Sequence, residues 1–480
     1  MSGKPQRSRG LVRLALALAG VIVAVFGWRV FQAHGAAIGS IPPRPDLRGR
    51  PAALVDRISG GEQAAQAWLH PEAGLVALSR LYHANGFYNE ALRCYSGLQR
   101  IEPREARWFH LAASILAEFG QLDGALPLEE RAVILAPDYL PARLRLGDIS
   151  LKADKTPAAA KAYSDGLARD PGNPYALLGL AKCDLAAGDW NRARDRLRDA
   201  STRHPDFIGA LSLLVTVAEH FGDQTEASAL RARIGKREFV DVADPWLDDL
   251  LDDCFDPYRL SVAASLAKFA GDVATSRRRL ERAVELAPNE AAYRRQLGKL
   301  LSQQRDFSAA RLQVEKAVAL EPADSDAWIL LIDVLTAAGD AAGAQRALSA
   351  GLVACPQSAA LHYTNGQRLS RMGGNEAAAV AEFKTAKQLR PSEANAYIDL
   401  ALLYFQLERV DDAVAELEAA LRVQPGHPLA LEVLARHAIN TGDESAARQW
   451  IARLRAQPRV PAEDLRVIVA EFQQHFGRVP

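Results

Sequence analysis

Small residues recur along this chain in a fixed register. Ser79, Ala113, Gly147 and Ala181 stand 34 positions apart, and Ala91, Ala125, Ala159, Ala193 and Ala227 repeat the same period twelve residues later. Between these marks the apolar residues fall three, four and seven apart, the spacing that lines one face of an α-helix. The segment 394–426 shows the whole unit: Tyr397, Leu400, Ala401 and Tyr404 share one helical face, and Ala413, Leu417 and Ala420 share a second, before Pro425. Each period therefore predicts two helices whose backbones approach closely at the small residues.

The ends of these helices are also written in the chain. Pro103, Pro137, Pro171 and Pro205 keep the period, and Pro288, Pro322, Pro356, Pro391 and Pro425 resume it, each placed to stop a second helix because its ring disfavours helix at the preceding residue. Gly86, Gly120, Gly188, Gly222, Gly271, Gly339 and Gly442 mark the turns between paired helices. Ala264, Gly298, Ile332 and Gly366 stand at the same position in later units, small in all but Ile332, followed by Ala401 and Ala435 after a one-residue insertion near Gly373 and Gly374. Units start near Glu72, Ala106, Leu140, Pro174, Ile208, Pro257, Ala291, Ser325, Ala359, Ala394 and Pro428. Pro127 falls inside a second helix and should kink it, and the unit ending at Ile234 lacks its closing proline.

This pattern resembles the tetratricopeptide repeat family, in which an aromatic, Leu, a small residue, Tyr, Ala, Phe, Ala and Pro recur over 34 residues. The resemblance implies an all-α, right-handed superhelical solenoid of about eleven antiparallel helix pairs, covering residues 72–234 and 257–461. A last helix in 462–480, with Leu465, Ile468, Val469 and Phe472 on one face, would cap the open end.

Ahead of the repeats lies a basic tail, 1–10, and then an apolar run, 11–31, long enough to span a bilayer. Lys4, Arg7, Arg9 and Arg13 crowd its amino side, so the positive-inside rule leaves the amino terminus in the cytoplasm and places the repeats on the periplasmic side of a bacterial inner membrane. A cleaved signal peptide, with a small-x-small site at Ala33 to Gly35, and a helix merely packed on the solenoid are the competing readings. Residues 32–71, with Pro42, Pro43, Pro45 and Pro51, read as a stalk carrying one short helix near Ala52 to Ser59.

The repeat breaks at 235–256. Asp244-Pro245 looks like a helix cap followed by proline at the first helical position, with Trp246, Leu247, Leu250, Leu251, Cys254 and Phe255 as an apolar stripe opposite Asp248, Asp249, Asp252 and Asp253. A spacer helix keeping its aspartates in water is one reading; an acidic docking face or a cation site is the other. The nearby Arg277 to Arg279 run could offset the charge.

Composition narrows the function. Lys plus Arg and Asp plus Glu both number 58, so no field gathers polyanions and nucleic acid is not an expected partner. Cys94, Cys183, Cys254 and Cys355 form no metal-ligand spacing and read as buried thiols. No phosphate loop, HExxH or GxSxG occurs, and no cofactor, metal or catalytic residue is expected.

The family resemblance implies an inner groove, lined by the first helix of each pair, that holds extended or helical segments of other proteins. The residue after each small position should face it: Arg80, Ser114, Asp148, Lys182, Thr216, Ser265, Lys299, Asp333, Gln367, Leu402 and Arg436. Arg80, Tyr175, Lys182, Arg295, Lys299, Tyr363 and Trp246 are the candidate partner contacts, because Tyr, Trp and Arg anchor interfaces. A solvated inner wall is the competing reading for each of them. The expected function is a membrane-tethered scaffold for other proteins in envelope or polysaccharide assembly, with self-association as a further option. An enzyme or enzyme subunit with a metal site at the acidic insert is the alternative.

Overall fold

A computed structural model describes residues 6–235, 237, 239–457 and 460–480. Among these residues every regular element is helical. Two helices lead, α1 (Gln6–Ile38) and α2 (Ala52–Ala65). Five antiparallel pairs follow: α3 (Pro71–Ala84) with α4 (Tyr88–Ile101), α5 (Ala106–Glu118) with α6 (Leu122–Leu135), α7 (Leu140–Lys152) with α8 (Thr156–Arg169), α9 (Pro174–Ala186) with α10 (Trp190–Arg203), and α11 (Ile208–His220) with α12 (Gln224–Ile234). A short α13 (Pro245–Asp248) runs into a 3₁₀ turn at Asp249–Asp253, before α14 (Pro257–Phe269) pairs with α15 (Val273–Leu286).

The chain divides there into two compact units, Met1–Leu286 and Ala287–Pro480. The second holds α16 (Ala291–Gln303) with α17 (Phe307–Leu320), α18 (Ser325–Ala337) with α19 (Ala341–Ala354), α20 (Ala359–Met372) with α21 (Glu376–Leu389), α22 (Ala394–Gln406) with α23 (Val410–Val423), and α24 (Pro428–Asn440) with α25 (Glu444–Arg455). α26 (Ala462–Phe476) packs Ile468 and Phe472 against α24 and α25. The sequence places the break at the insert; the structure keeps 239–256 inside the first unit, because it folds back onto α3 and α5.

Close approach explains the small-residue tracks. A Cβ added at Gly147 would lie 2.5 Å from the Tyr163 ring and one at Gly179 2.3 Å from it, so the ring fills the space that two glycines on neighbouring helices leave open. Tyr163 is buried there, and full burial of a side chain of this size is worth about 1.5–3 kcal/mol. Outside the longer α20–α21 turn, each first-to-second helix turn closes on a bond back into the first helix, as in Asp189 N–H to Asp184 C=O at 2.9 Å and Asp306 N–H to Leu301 C=O at 3.0 Å. The left-handed residue this needs is glycine at Gly188 and Gly339, but Asp154, Arg305 and Glu408 fill it in three units. Carboxylate caps then start many second helices: Asp189, Asp223, Asp306, Asp340 and Asp443 each accept from a first-turn N–H. Pro127 does not break α6, which runs through it. Gly235, with φ +59, ends α12 where the proline is missing.

The amino-terminal region differs from the sequence reading. α1 continues past the expected 11–31 span to Ile38, and its stretch Leu18–Ile38 is long and apolar enough to cross a membrane. Its last turns dock on the repeats: Ala37 is buried, the His34 ring stacks on Trp68 at 3.9 Å, and Arg100 donates to Ser40 Oγ at 2.6 Å. The expected short helix near Ala52 is the 14-residue α2, whose Leu54, Ile58, Gly61 and Ala65 are buried against α3. Residues 32–71 are therefore partly built into the array, because α2 carries an apolar face that the edge of α3 can cover. The four cysteines are buried free thiols.

Candidate partner-binding site

Helices α3, α5, α7 and α9, the first of their pairs, present polar and aromatic side chains to one wall of the first unit, and residues 239–256 lie along it. The contacts begin at the carboxyl end of that segment. Asp253 is buried and pairs with Arg57 of α2 and with Arg80 Nε of α3, the latter at 2.5 Å. Arg80 also donates to the Asp249 carbonyl at 2.6 Å. Asn85, just after α3, reads the insert's main chain from both sides: its Nδ2 donates to Asp253 O at 2.9 Å and its Oδ1 accepts from Phe255 N–H at 2.7 Å. Phe255 is buried with the guanidinium of Arg282 over its ring, 5.1 Å from the centroid.

The middle of the segment is held by a buried charged cluster. His110 of α5 is fully buried; its Nδ1 lies 2.7 Å from Glu129 Oε1 and its Nε2 2.7 Å from Asp244 Oδ2. A neutral imidazole has one N–H, so two carboxylate neighbours favour the doubly protonated ring. Burial opposes that charge, but Glu129 and Asp244 together outweigh it and hold the His110 pKa up at about 9. Burial likewise pushes Asp244 upward, and His110, Tyr139 and Arg145 overcome it and bring the carboxyl down to about 2. Glu129, fully buried like His110, has its pKa raised by burial. Tyr139 donates to Asp244 Oδ1 at 2.6 Å and accepts from Trp246 N–H at 3.1 Å. Trp246 stacks on the Tyr139 ring at 3.6 Å and 12°.

These shifts fix a sign. His110 gains pKa on folding, so its contribution is complete below pH 6.5 and fades as pH rises through about 9; Asp244 loses pKa, so its contribution is complete above 3.8 and fades as pH falls through about 2. The native chain is expected to lose up to a few kcal/mol of first-unit stability between pH 6.5 and 9.5 that a His110→Gln variant does not lose. Denaturant melts across that range check it, and parallel profiles for the two proteins would refute it.

The amino end of the segment is held more loosely. Tyr175 Oη donates to Val240 O at 3.0 Å and Asp241 O at 3.2 Å, and Phe239 sits edge-on to Tyr175 and Phe207. A cavity of about 200 Å³ stays open beside it, lined by Asp148, Tyr163, Lys182 and Phe239 among others.

Of the seven candidate contacts, the structure brings Arg80, Tyr175, Lys182 and Trp246 to this one wall. Trp246 lies on the occupant, not on the receptor side. Arg295, Lys299 and Tyr363 belong to the second unit: Arg295 pairs with Asp324 and Asp326, Tyr363 donates to Asp399 Oδ2 at 2.7 Å, and Lys299 is exposed. Sequence reading passed over His110, Glu129, Tyr139, Arg145 and Asn85, although Asp244 was legible as the cap it proves to be, accepting from Leu247 N–H.

The spacer-helix reading of 235–256 is corrected in two respects. The stripe is not one α-helix but a single turn followed by a 3₁₀ turn, and Asp253 is not in water. Asp248 does meet the arginine run, at 3.3 Å from Arg279. Among the described residues no group of three or more His, Cys, Asp or Glu is arranged to hold a metal ion.

Two family models described as tetratricopeptide repeat match the chain, one at residues 150–215 and the other at 76–139, 295–359 and 398–461, together more than half of its length. The chain belongs to the tetratricopeptide repeat family. Among curated proteins this tetratricopeptide repeat chain is 28% identical over 348 residues to cellulose synthase operon protein C of Xanthomonas axonopodis pv. citri, a match covering 70% of the chain and 22% of that protein. It is 28% identical over 242 residues to cellulose synthase 1 operon protein C of Komagataeibacter xylinus, covering 46% of the chain and 17% of that protein. The chain thus spans about a fifth of the length of these relatives. Among solved structures it is similar to yeast Tom70, with 13% identity, a TM-score of 0.38, and coverage of 83% of the chain and 94% of that structure.

Proposed function

We propose that this tetratricopeptide repeat protein is a scaffold anchored in the bacterial inner membrane by α1, holding partner proteins on its repeat walls on the periplasmic side during assembly of an envelope polysaccharide. The observation that carries the reading is the first unit's wall itself, which grips the extended and turned chain of residues 239–256 through side chains of four successive repeats, Arg80, His110, Arg145 and Tyr175. α1 supports the anchor, with the basic residues Lys4, Arg7 and Arg9 on its amino side. Because its last turns pack on α3 and α4, the first repeat would sit at the headgroups without a free stalk. The names of the relatives support polysaccharide synthesis as the setting.

Proximity crosslinking in cells with the full-length chain tests this. A small reproducible set of envelope proteins is expected, reduced severalfold when Lys182 and Lys299 are both changed to Glu. An empty capture, or a set indifferent to the charge reversal and to removal of α1, would sink the proposal.

A further inference from the structure

We infer that the first unit's wall is a receptor for acidic, aromatic-bearing extended segments of partner chains, and that residues 239–256 are its resident ligand, which a partner must displace. The inference rests on the scaffold reading and names the chemistry of its partner.

Three features of the contact point this way. First, much of the grip falls on the main chain of the occupant, which any sequence supplies. Asn85 clamps a carbonyl and an N–H two residues apart, Arg80 takes the Asp249 carbonyl, and Tyr175 takes those of Val240 and Asp241. These three receptors come from the first and fourth repeats, so the groove reads extended chain along its length. Second, the remaining grip is complementary in charge. The occupant brings Asp244, Asp248 and Asp253, and the first unit answers with His110 and Arg145, Arg279, and the Arg57–Arg80 pair respectively. The aromatic side chain is read too, since Trp246 lies flat on Tyr139 with Arg107 over its ring at 5.8 Å. Third, the occupant fills the groove incompletely. The cavity beside Phe239 is lined by Lys182, Asp148 and the Tyr163 and Tyr175 rings, and could take an aromatic side chain larger than Val242.

Tethering sets the competition. The segment is joined to α12 at one end and α14 at the other, so its effective concentration at the wall is in the millimolar range. A free segment of equal intrinsic affinity at micromolar concentration loses by roughly a thousandfold. A partner wins only when it is itself concentrated, as on a shared membrane, or when it also fills the cavity at Lys182. The wall is thus closed to dilute acidic peptides and open to partners held nearby.

The test uses the full-length chain in detergent and a fluorescein-labelled synthetic peptide of residues 239–256 with Cys254→Ser. A chain carrying Trp246→Ala and Asp253→Asn is expected to bind this peptide at least tenfold more tightly than the native chain, and adding Arg80→Glu is expected to remove the gain. Circular dichroism and melting confirm that the variants fold. On the native chain, which needs no substitution, a large excess of peptide is expected to speed amide hydrogen exchange in 239–256. Unchanged exchange at high peptide together with no tighter binding by the folded variant would make the segment a fixed strut and overturn the inference. Partners still captured by crosslinking in that case would leave the scaffold reading standing and move their contacts elsewhere; loss of the crosslinks with peptide binding intact would do the reverse.

Discussion

A His110→Ala chain is expected to lose about 3–5 kcal/mol of first-unit stability, the range seen when one partner of a buried ion pair is removed. Glu129 is buried completely, its Oε1 is hydrogen-bonded to His110, and its Oε2 has no hydrogen-bond partner. Without the imidazolium the carboxylate either takes up a proton or stays buried without its hydrogen-bonded counter-charge, and both routes cost free energy. Asp244 loses its Nε2 partner in the same step, so residues 239–256 loosen as α5 and α6 do. Hydrogen exchange should therefore quicken in α5, α6 and 239–256 while α20 to α25, in the other unit, keep their native rates. Changing His110 and Glu129 together to Leu is expected to recover much of the loss in α5 and α6, because the carboxylate left without a partner between those helices is gone and Asp244 keeps Tyr139 and Arg145. The segment 239–256 should stay loose in that double variant, since Asp244 still lacks its imidazolium. Equal stability of the His110→Ala and native chains would show that the cluster carries no net weight.

Gly74→Val is expected to detach α2. A Cβ at this position would stand 2.0 Å from Ala65 N and 2.5 Å from Ala64 C, backbone atoms that no rotamer change can move aside. The two helices must separate, uncovering Leu54 and Ile58 on one side and Leu75 and Leu78 on the other, all buried in the native chain. The expected cost is about 3 kcal/mol or somewhat more, at or above the upper end of usual overpacking effects. Limited proteolysis should open a new cut between residues 51 and 66 in the variant. Arg57 would leave Asp253 with α2, so the carboxyl end of the insert should become more exchangeable as well. A protease-resistant Gly74→Val chain would mean that α2 holds its place by contacts other than this one.

The repeat helices were legible because their signals are local. The first helices of the pairs at Ala106, Leu140, Pro174, Ile208, Pro257, Ala291, Ser325, Ala359, Ala394 and Pro428 begin at the residues where the periodicity starts them, and the prolines stand two residues beyond the ends of the second helices, as Pro103 does beyond Ile101. Apolar spacing, cap residues and proline sterics act over one or two turns, so reading them requires no knowledge of what lies across the fold. Asp154, Arg305 and Glu408 were not legible as left-handed turn residues, since the closing bond of the turn enforces there a conformation that their own preference does not.

The candidate site was legible only in part. Arg80, Tyr175 and Lys182 could be placed on the inner wall because each falls on the first helix of its unit. What they meet could not be read, because the occupant comes from far along the chain: Arg57 and Asp253 lie 196 residues apart, and His110 and Asp244 lie 134 apart. An aspartate cap looks the same in sequence whether its second carboxylate oxygen faces water or a buried histidine.

The chain's own order of residues thus determined the helix pairs, their register, their turns and an apolar leading helix, all of them consequences of interactions between near neighbours. The tertiary structure alone decided that α2 joins the array, that the acidic segment folds back onto the first unit's wall, and that His110 is enclosed between two carboxylates. Those outcomes depend on which distant surfaces come together and how much water they exclude, and burial of charge acquires its sign and size only there.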